Sequence, residues 1–172
     1  MVQLDQIIKH IRNREYMSGV DRDKARVKAT GEIFTKEWLV RASLDKIEQF
    51  DPAAFLDLTN TFCDNASGDG NLISEVLIRK LESVAVNNEV TEDQFEQALQ
   101  TIYGVDLMPD NVDLCRERLL GGQTQFRHIV EQNIVCADAL RYHYRFDGSP
   151  PYDDETQAKQ KEDQLNIFVS FE

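Results

Sequence analysis

Three aspartates each close an apolar run: Thr61-Phe62-Cys63-Asp64, Thr101-Ile102-Tyr103-Gly104-Val105-Asp106 and Asn133-Ile134-Val135-Cys136-Ala137-Asp138. The first run leads into Asn65-Ala66-Ser67-Gly68-Asp69-Gly70. If the runs are strands of one open parallel sheet, their carboxyl ends share the edge at which such sheets bind ligands. Gly68 and Gly70 would then let the backbone approach a ligand closely, since no Cβ stands in the way. An acid at the end of the second strand can accept both hydroxyls of a ribose. An acid after the third strand can accept the exocyclic amine of an adenine. The constellation describes a nucleoside pocket.

That pocket has no phosphate cradle. The loop is G-x-G without a third glycine, and Asp64 and Asp69 beside it would repel an anion. A nucleoside without phosphates, and preferably cationic, fits best, and S-adenosylmethionine has that charge pattern. A plainer reading stands beside this one: Gly and Asp are common turn formers, and a strand-end Asp often caps the helix that follows.

The elements that must position these residues follow from hydrophobic spacing. Residues 1 to about 29 read as helical, with Leu4, Ile7, Ile8 and Ile11 on one stripe. Thr35 is placed to cap a helix through Trp38, Leu39, Val40, Leu44 and Ile47, with Trp38 in the core, and Asp51-Pro52 marks a turn. Leu72, Val76, Ile78 and Leu81 predict a helix to about Val86, and Thr91 caps another over 92–100. Pro109 opens a helix to about Leu120 that Gly121-Gly122 ends. Strand, glycine loop, helix, strand, helix, strand is the alternation of a parallel sheet covered by helices. The expected fold is therefore α/β, a Rossmann-like, mostly parallel sheet flanked by helices and incomplete on its C-terminal side. Its expected divisions are an N-terminal helical segment over 1–29, the binding domain over 30–148, a loop and linker over 149–164, and a terminal strand over 165–172.

Composition narrows the function classes. The chain has 172 residues, 41% hydrophobic and 29% charged, which is an ordinary balance for a single domain with a real core. No run approaches the roughly 18 uncharged apolar residues of a membrane span, and the N-terminus has no signal-peptide pattern. Three scattered cysteines, Cys63, Cys115 and Cys136, indicate neither a disulfide framework nor a zinc site, and Cys63 and Cys136 are expected to be buried in strands. His10, His128 and His143 lack ligand spacing and read as surface residues. These features suit a reduced, cytoplasmic setting. The net charge of −12 is unevenly placed: residues 1–50 carry ten basic and eight acidic side chains, the remainder nine basic and twenty-three acidic. Duplex binding gains affinity through Lys and Arg, so any DNA contact belongs to the N-terminal segment or to a partner.

Four motifs in order carry a resemblance. Gly31-Glu32-Ile33-Phe34-Thr35 resembles G-x-[FY]-[FY]-T-P, and residues 62–71 resemble the loop D-P-A-C-G-D-G-N-F. Tyr103-Gly104-Val105-Asp106-Leu107-Met108-Pro109 resembles [IY]-G-[VI]-D-x-x-P, and Asn133 to Leu140 resembles N-I-x-x-x-D-x-L. Together they span residues 31–140 and are similar to the cofactor-binding half of the S-adenosylmethionine-dependent DNA amino-methyltransferases, which methylate adenine N6 or cytosine N4. Lys36 and Asn65 stand where the family pattern has proline. The resemblance implies that Asp106 holds the ribose and Asp138 the adenine amine. It places Asp64, Gly68 and Gly70 at the methionine end, with Phe34 and Thr35 closing over it and Ala66, Leu107 and Ala139 beside the acids.

Ser149-Pro150-Pro151-Tyr152 matches the family's catalytic tetrapeptide [NDS]-P-P-[YF] in its letters. In that role Ser149 and a carbonyl of the Pro150-Pro151 pair would accept from the target amine, and Tyr152 would stack on an extruded base. Only residues 141–148 separate it from the third strand, too few for a connection and a further strand, so a surface loop is the alternative. The strand-like stretch 165–171 follows the acidic segment 153–164 instead. Two functions emerge. One is a bacterial or phage-borne methyltransferase that meets DNA directly or through a protein partner supplying target recognition. The other is a non-catalytic accessory protein, or an acidic DNA mimic acting on restriction-modification enzymes.

Overall fold

A computed structural model describes residues 1–13 and 35–152. The expectations for Phe34, for a helix beyond residue 13, and for 153–164 and 165–171 lie outside the described residues.

A parallel three-stranded sheet runs in the order β2 (Phe62–Asp64), β4 (Ile102–Asp106), β5 (Ile134–Cys136). A two-stranded antiparallel pair, β1 (Val2–Gln3) with β3 (Glu89–Val90), lies apart from it. Among the described residues six helices accompany the strands: α1 (Leu4–Arg12), α2 (Glu37–Phe50), α3 (Asn71–Val84), α4 (Glu92–Gln100), α5 (Pro109–Leu119) and α6 (Arg127–Asn133). The expected α/β architecture is present as a parallel sheet flanked by helices.

The pleat divides the core. On β4, Ile102 lies in a large cluster to which every helix contributes, including Ile7 and Ile11 of α1, Leu44 of α2, Leu77 of α3, Phe95 of α4, Leu119 of α5 and Val130 of α6. Alternate side chains on a strand face opposite ways, and Val105 accordingly joins a second cluster with Ala137, Tyr142 and Tyr152, none of them helical. The sheet thus has helices against one face and an aromatic segment, 142–152, against the other. Leu4, Ile7 and Ile11 belong to the main core and Tyr152 to the sheet's second face, so packing crosses both expected divisions, 29/30 and 148/149.

Local chemistry explains most element ends. Thr91 caps α4 in a capping box with Gln94, and Pro109 opens α5. Thr35 does not cap α2: Lys36 holds that position, without a side-chain cap bond. Trp38 is 66% exposed rather than in the core, because α2 packs through Val40 and Leu44, on its other side. Cys63 is exposed rather than buried, because it alternates with Phe62, which packs on the helix-side core, and so faces the other side of a strand that pairs only with β4 among the described residues. Cys136 is only half-buried where full burial was expected, and His10, His128 and His143 are exposed as expected.

Lys80 is fully buried on the inner face of α3. Its amine donates to the carbonyls of Leu58 and Asn60 and to Thr101 Oγ1, and so ties the chain entering β2 to the start of β4. Burial pulls its pKa down to about 8 from 10.5, with Asp57 working weakly the other way. Below about pH 8 both folded and unfolded chains carry the proton, and the penalty of burying the charge is present in full. Between about 8 and 10.5 the folded chain holds fewer protons than the unfolded one, so stability rises with pH across that window. Measured by denaturant unfolding, the wild type should gain on the order of 2 kcal/mol relative to Lys80→Met over that interval.

Candidate nucleoside site

The carboxyl ends of β2, β4 and β5 bring Asp64, Asp106 and Asp138 to one edge of the sheet. The register makes them a staircase. Asp64 lies opposite Gly104, two residues before Asp106, and Asp106 lies opposite Cys136, two residues before Asp138. Each tread is about 7 Å at the rise of a strand.

All three carboxylates first serve their own turns. Oδ1 of Asp64 accepts the Ala66 N–H at 3.0 Å, that of Asp106 the Met108 N–H at 2.9 Å, and that of Asp138 the Leu140 N–H at 2.9 Å. The plainer sequence reading, turn-forming aspartates, is therefore correct as far as it goes. It accounts for one oxygen of each. The second oxygens differ: Asp106 Oδ2 accepts the Gly68 N–H at 2.9 Å, and Asp138 Oδ2 lies 3.4 Å from Arg141 Nε. The Ala66 bond is the one hydrogen bond that the Asp64 carboxylate accepts among the described residues. Burial pushes its carboxyl above the usual range, the Ala66 bond opposes this, and the charge of Asp106 adds to it.

The glycine loop is held across the sheet. Ser67 N–H donates to the Val105 carbonyl at 3.0 Å, and Gly70 N–H returns to the Ser67 carbonyl at 2.8 Å. Gly68 and Gly70 have φ of +53° and +86°, which an L side chain adopts only under strain. Gly70 also faces α5: a Cβ there would sit 2.7 Å from Cys115 Sγ. That glycine is required by packing on the helix, a reason different from the ligand approach expected of it.

Behind the loop lies a group that sequence reasoning missed. Arg118, on the inner face of α5, is 2% exposed. Its Nη1 donates to Asp69 Oδ2 and to the Asp69 carbonyl, both at 2.9 Å, its Nη2 to Asn71 Oδ1 at 3.1 Å, and its Nε to the Ile11 carbonyl at 3.3 Å. Asp69 is thereby buried and its charge paired, so the repulsion of anions expected of it falls to Asp64. The spacing of Val112, Cys115 and Leu119 carried a signal, since Arg118 falls on the same helix face. Asn111, buried on the first turn of α5, was missed as well, and its amide reaches Asp106 Oδ1 at 3.2 Å.

Comparison of the chain with known protein families, with curated proteins and with solved structures finds no match. The site must be argued from its own geometry.

The remaining expected residues fall into two groups. Thr35 meets the glycine loop: its carbonyl accepts from Asn71 Nδ2 at 3.4 Å, which brings the end of the first motif to the start of α3. Ala66 is exposed in the loop, and Leu107 and Ala139 are half-buried beside Asp106 and Asp138. Ser149 to Tyr152 are elsewhere in their hydrogen bonding. Ser149 Oγ donates to Asp147 at 2.5 Å, the Pro150 carbonyl accepts from Arg145 at 2.8 Å, and Pro151 is half-buried. Tyr152 is 7% exposed against Val105 and Ala137, and its hydroxyl accepts the Asp138 N–H. The tetrapeptide reaches the site edge through that bond, with its ring packed on the sheet. Among the described residues, no grouping of His, Cys, Asp or Glu could hold a metal ion, and no helix is long and apolar enough to cross a membrane.

Breaking the Arg118–Asp69 pair should cost far more than its surface counterparts. Arg118→Met removes the cation from the buried Asp69 carboxylate, and chemical denaturation should show a loss of about 3–5 kcal/mol. Ser67 Oγ is the opposite case: it is buried against Gly104 and makes no hydrogen bond among the described residues. Ser67→Ala should leave stability unchanged or raise it by about 1 kcal/mol; a loss above that would mean the hydroxyl is paired in solution.

Proposed function

We propose that this chain binds S-adenosylmethionine at the carboxyl edge of its sheet and is the cofactor-binding part of a DNA amino-methyltransferase of the adenine-N6 or cytosine-N4 type. The observation that carries the reading is convergence. Four separate sequence motifs resemble that family, and the described parts of all four meet at one place, with Thr35 on Asn71, the glycine loop on Asp106, and Asp138 one step further along the same edge.

The residues present fit such a cofactor in charge and in donor chemistry. Asp106 would take the ribose, Asp138 the adenine amine, and Asp64, Gly68, Gly70 and Thr35 the methionine end, with Phe34 in the same motif as Thr35. Ala66, Leu107 and Ala139 would line the walls. The acidic edge suits a sulfonium and disfavours a phosphate. The cofactor would supply an activated methyl group. The protein's share would be to hold that group and to polarise a target amine through Ser149 Oγ and the Pro150 carbonyl. Ser149 Oγ donates to Asp147 and the Pro150 carbonyl accepts from Arg145, so each oxygen keeps acceptor capacity, but the Tyr152 ring is buried. Base stacking on Tyr152 therefore requires that segment to leave the sheet. DNA would be met directly or through a partner protein that supplies recognition.

The packing of Tyr152 favours a second reading, in which the chain keeps the scaffold without the chemistry and acts as an accessory subunit or as an acidic DNA mimic. The charge of residues 51–172 is compatible with it.

Calorimetric titration with S-adenosylmethionine and S-adenosylhomocysteine should give micromolar binding. Asp106→Ala should weaken it about ten- to a hundredfold, the value of a hydrogen bond to a charged group. No binding at millimolar ligand removes the cofactor reading. Salt-sensitive retention of duplex DNA by the chain would then separate a methyltransferase from a mimic, which should retain none.

A further inference from the structure

We infer that Asn111 is a positioning residue that makes Asp106 a one-oxygen acceptor for ribose, with Oδ2 alone available to a ligand hydroxyl. The inference rests on the nucleoside reading and departs from the two-hydroxyl grip that the sequence suggests. A carboxylate oxygen offers two lone-pair sites. On Asp106, Oδ1 has both in use, one for the Met108 N–H at 2.9 Å and one for the Asn111 amide at 3.2 Å. Among the described residues Oδ2 takes only the Gly68 N–H, at 2.9 Å, and keeps one site.

The two bonds on Oδ1 are not of a kind that a ligand displaces easily. Met108 is the N-cap residue of α5, and its N–H, once released, would be left in a buried position. Asn111 is 1% exposed on the first turn of the same helix, five residues after the acid it orients. Both donors belong to one rigid element and fix the plane of the carboxylate. The Gly68 donor sits on a turn whose glycine backbone is in the left-handed region, and Gly68 itself is half-buried. Oδ2 is thus bonded to the half-buried loop rather than to α5, and it is the oxygen that a hydroxyl can share or take over.

The test is the hydroxyl selectivity of the full chain, read by calorimetry with S-adenosylhomocysteine and its 2′-deoxy and 3′-deoxy analogues. Loss of one hydroxyl should weaken binding about tenfold or more, and loss of the other less than about threefold. In Asn111→Ala, which frees a site on Oδ1, the two losses should converge to within about threefold of each other. Equal losses in the wild type overturn the inference and leave the cofactor reading intact. So does a variant that weakens all three ligands by the same factor and keeps the wild-type asymmetry, which would give Asn111 a purely structural role. Should the variant not fold, the wild-type series decides the matter alone. No binding of S-adenosylhomocysteine itself overturns the cofactor reading and this inference with it.

Discussion

The buried guanidinium of Arg118 is the constraint on which the site depends. It joins three segments that are far apart in the chain: the last turn of α1 through the Ile11 carbonyl, the glycine loop through Asp69, and the start of α3 through Asn71. Helix ends leave carbonyls without partners, and at α1 the arginine fills that role from another helix. A buried ion pair adds little net stability over a well-packed apolar replacement, because both charges lose their water. Its contribution here is to position. Asp69 and Asn71 bracket Gly70, so the same donors that hold them also fix the turn that aims Gly68 N–H at Asp106.

The sheet asks for cover on two faces and receives it in two ways. One face has helices, with a core in the usual aliphatic idiom. The other has a short aromatic segment, in which Tyr142, Phe146 and Tyr152 pack on Val105 and Ala137. This segment contains Tyr144 and Phe146 at φ of +52° and +48°, a backbone region that bulky L residues occupy at a cost. The bonds that offset the cost are specific: Phe146 N–H donates to the Tyr142 hydroxyl at 2.8 Å, the Phe146 carbonyl accepts from Gln132 at 2.7 Å, and the Tyr144 hydroxyl donates to the Ala139 carbonyl at 2.9 Å. Together these bonds hold the segment on the sheet in one conformation. That bears directly on Tyr152, whose ring is the last piece of the cover.

What was legible in the sequence was whatever local pattern decides. The three strands, the caps at Thr91 and Pro109 and the apolar faces of α1, α3 and α4 all follow from spacing and from residue chemistry within one or two turns. What was not legible depends on partners far along the chain. Asp69 reads as a loop acid until Arg118, 49 residues later, is placed beside it. Lys80 reads as a surface charge on an amphipathic helix until the carbonyls of Leu58 and Asn60 arrive. Cys63 has the pattern of a core strand, and its exposure reflects which elements stand beside β2, information that no local window contains. The helix over 127–133 lies between these cases: Phe126, Ile129 and Val130 are buried at helical spacing, but the element is one of seven residues entered through a 3-10 turn at 124–126, and the glycine pair before it masks its start.

The turn-forming role of the three strand-end aspartates does not compete with a binding role. A carboxylate has about four acceptor sites, and the i+2 turn bond takes one. An alanine-like economy would have used Ser or Asn for such turns, as either makes them. Aspartate adds a charge that the turn does not need, and the cost of that charge is visible at Asp64, whose carboxyl is held above its usual range by burial and by the neighbouring Asp106. Three like charges along one edge, only one of them beside a cation in the described chain, repel one another. A bound cation at that edge would relieve the repulsion. That repulsion is least relieved at the Asp64–Asp106 end, away from the Arg141 guanidinium at Asp138, which is the end where the proposed sulfonium would sit.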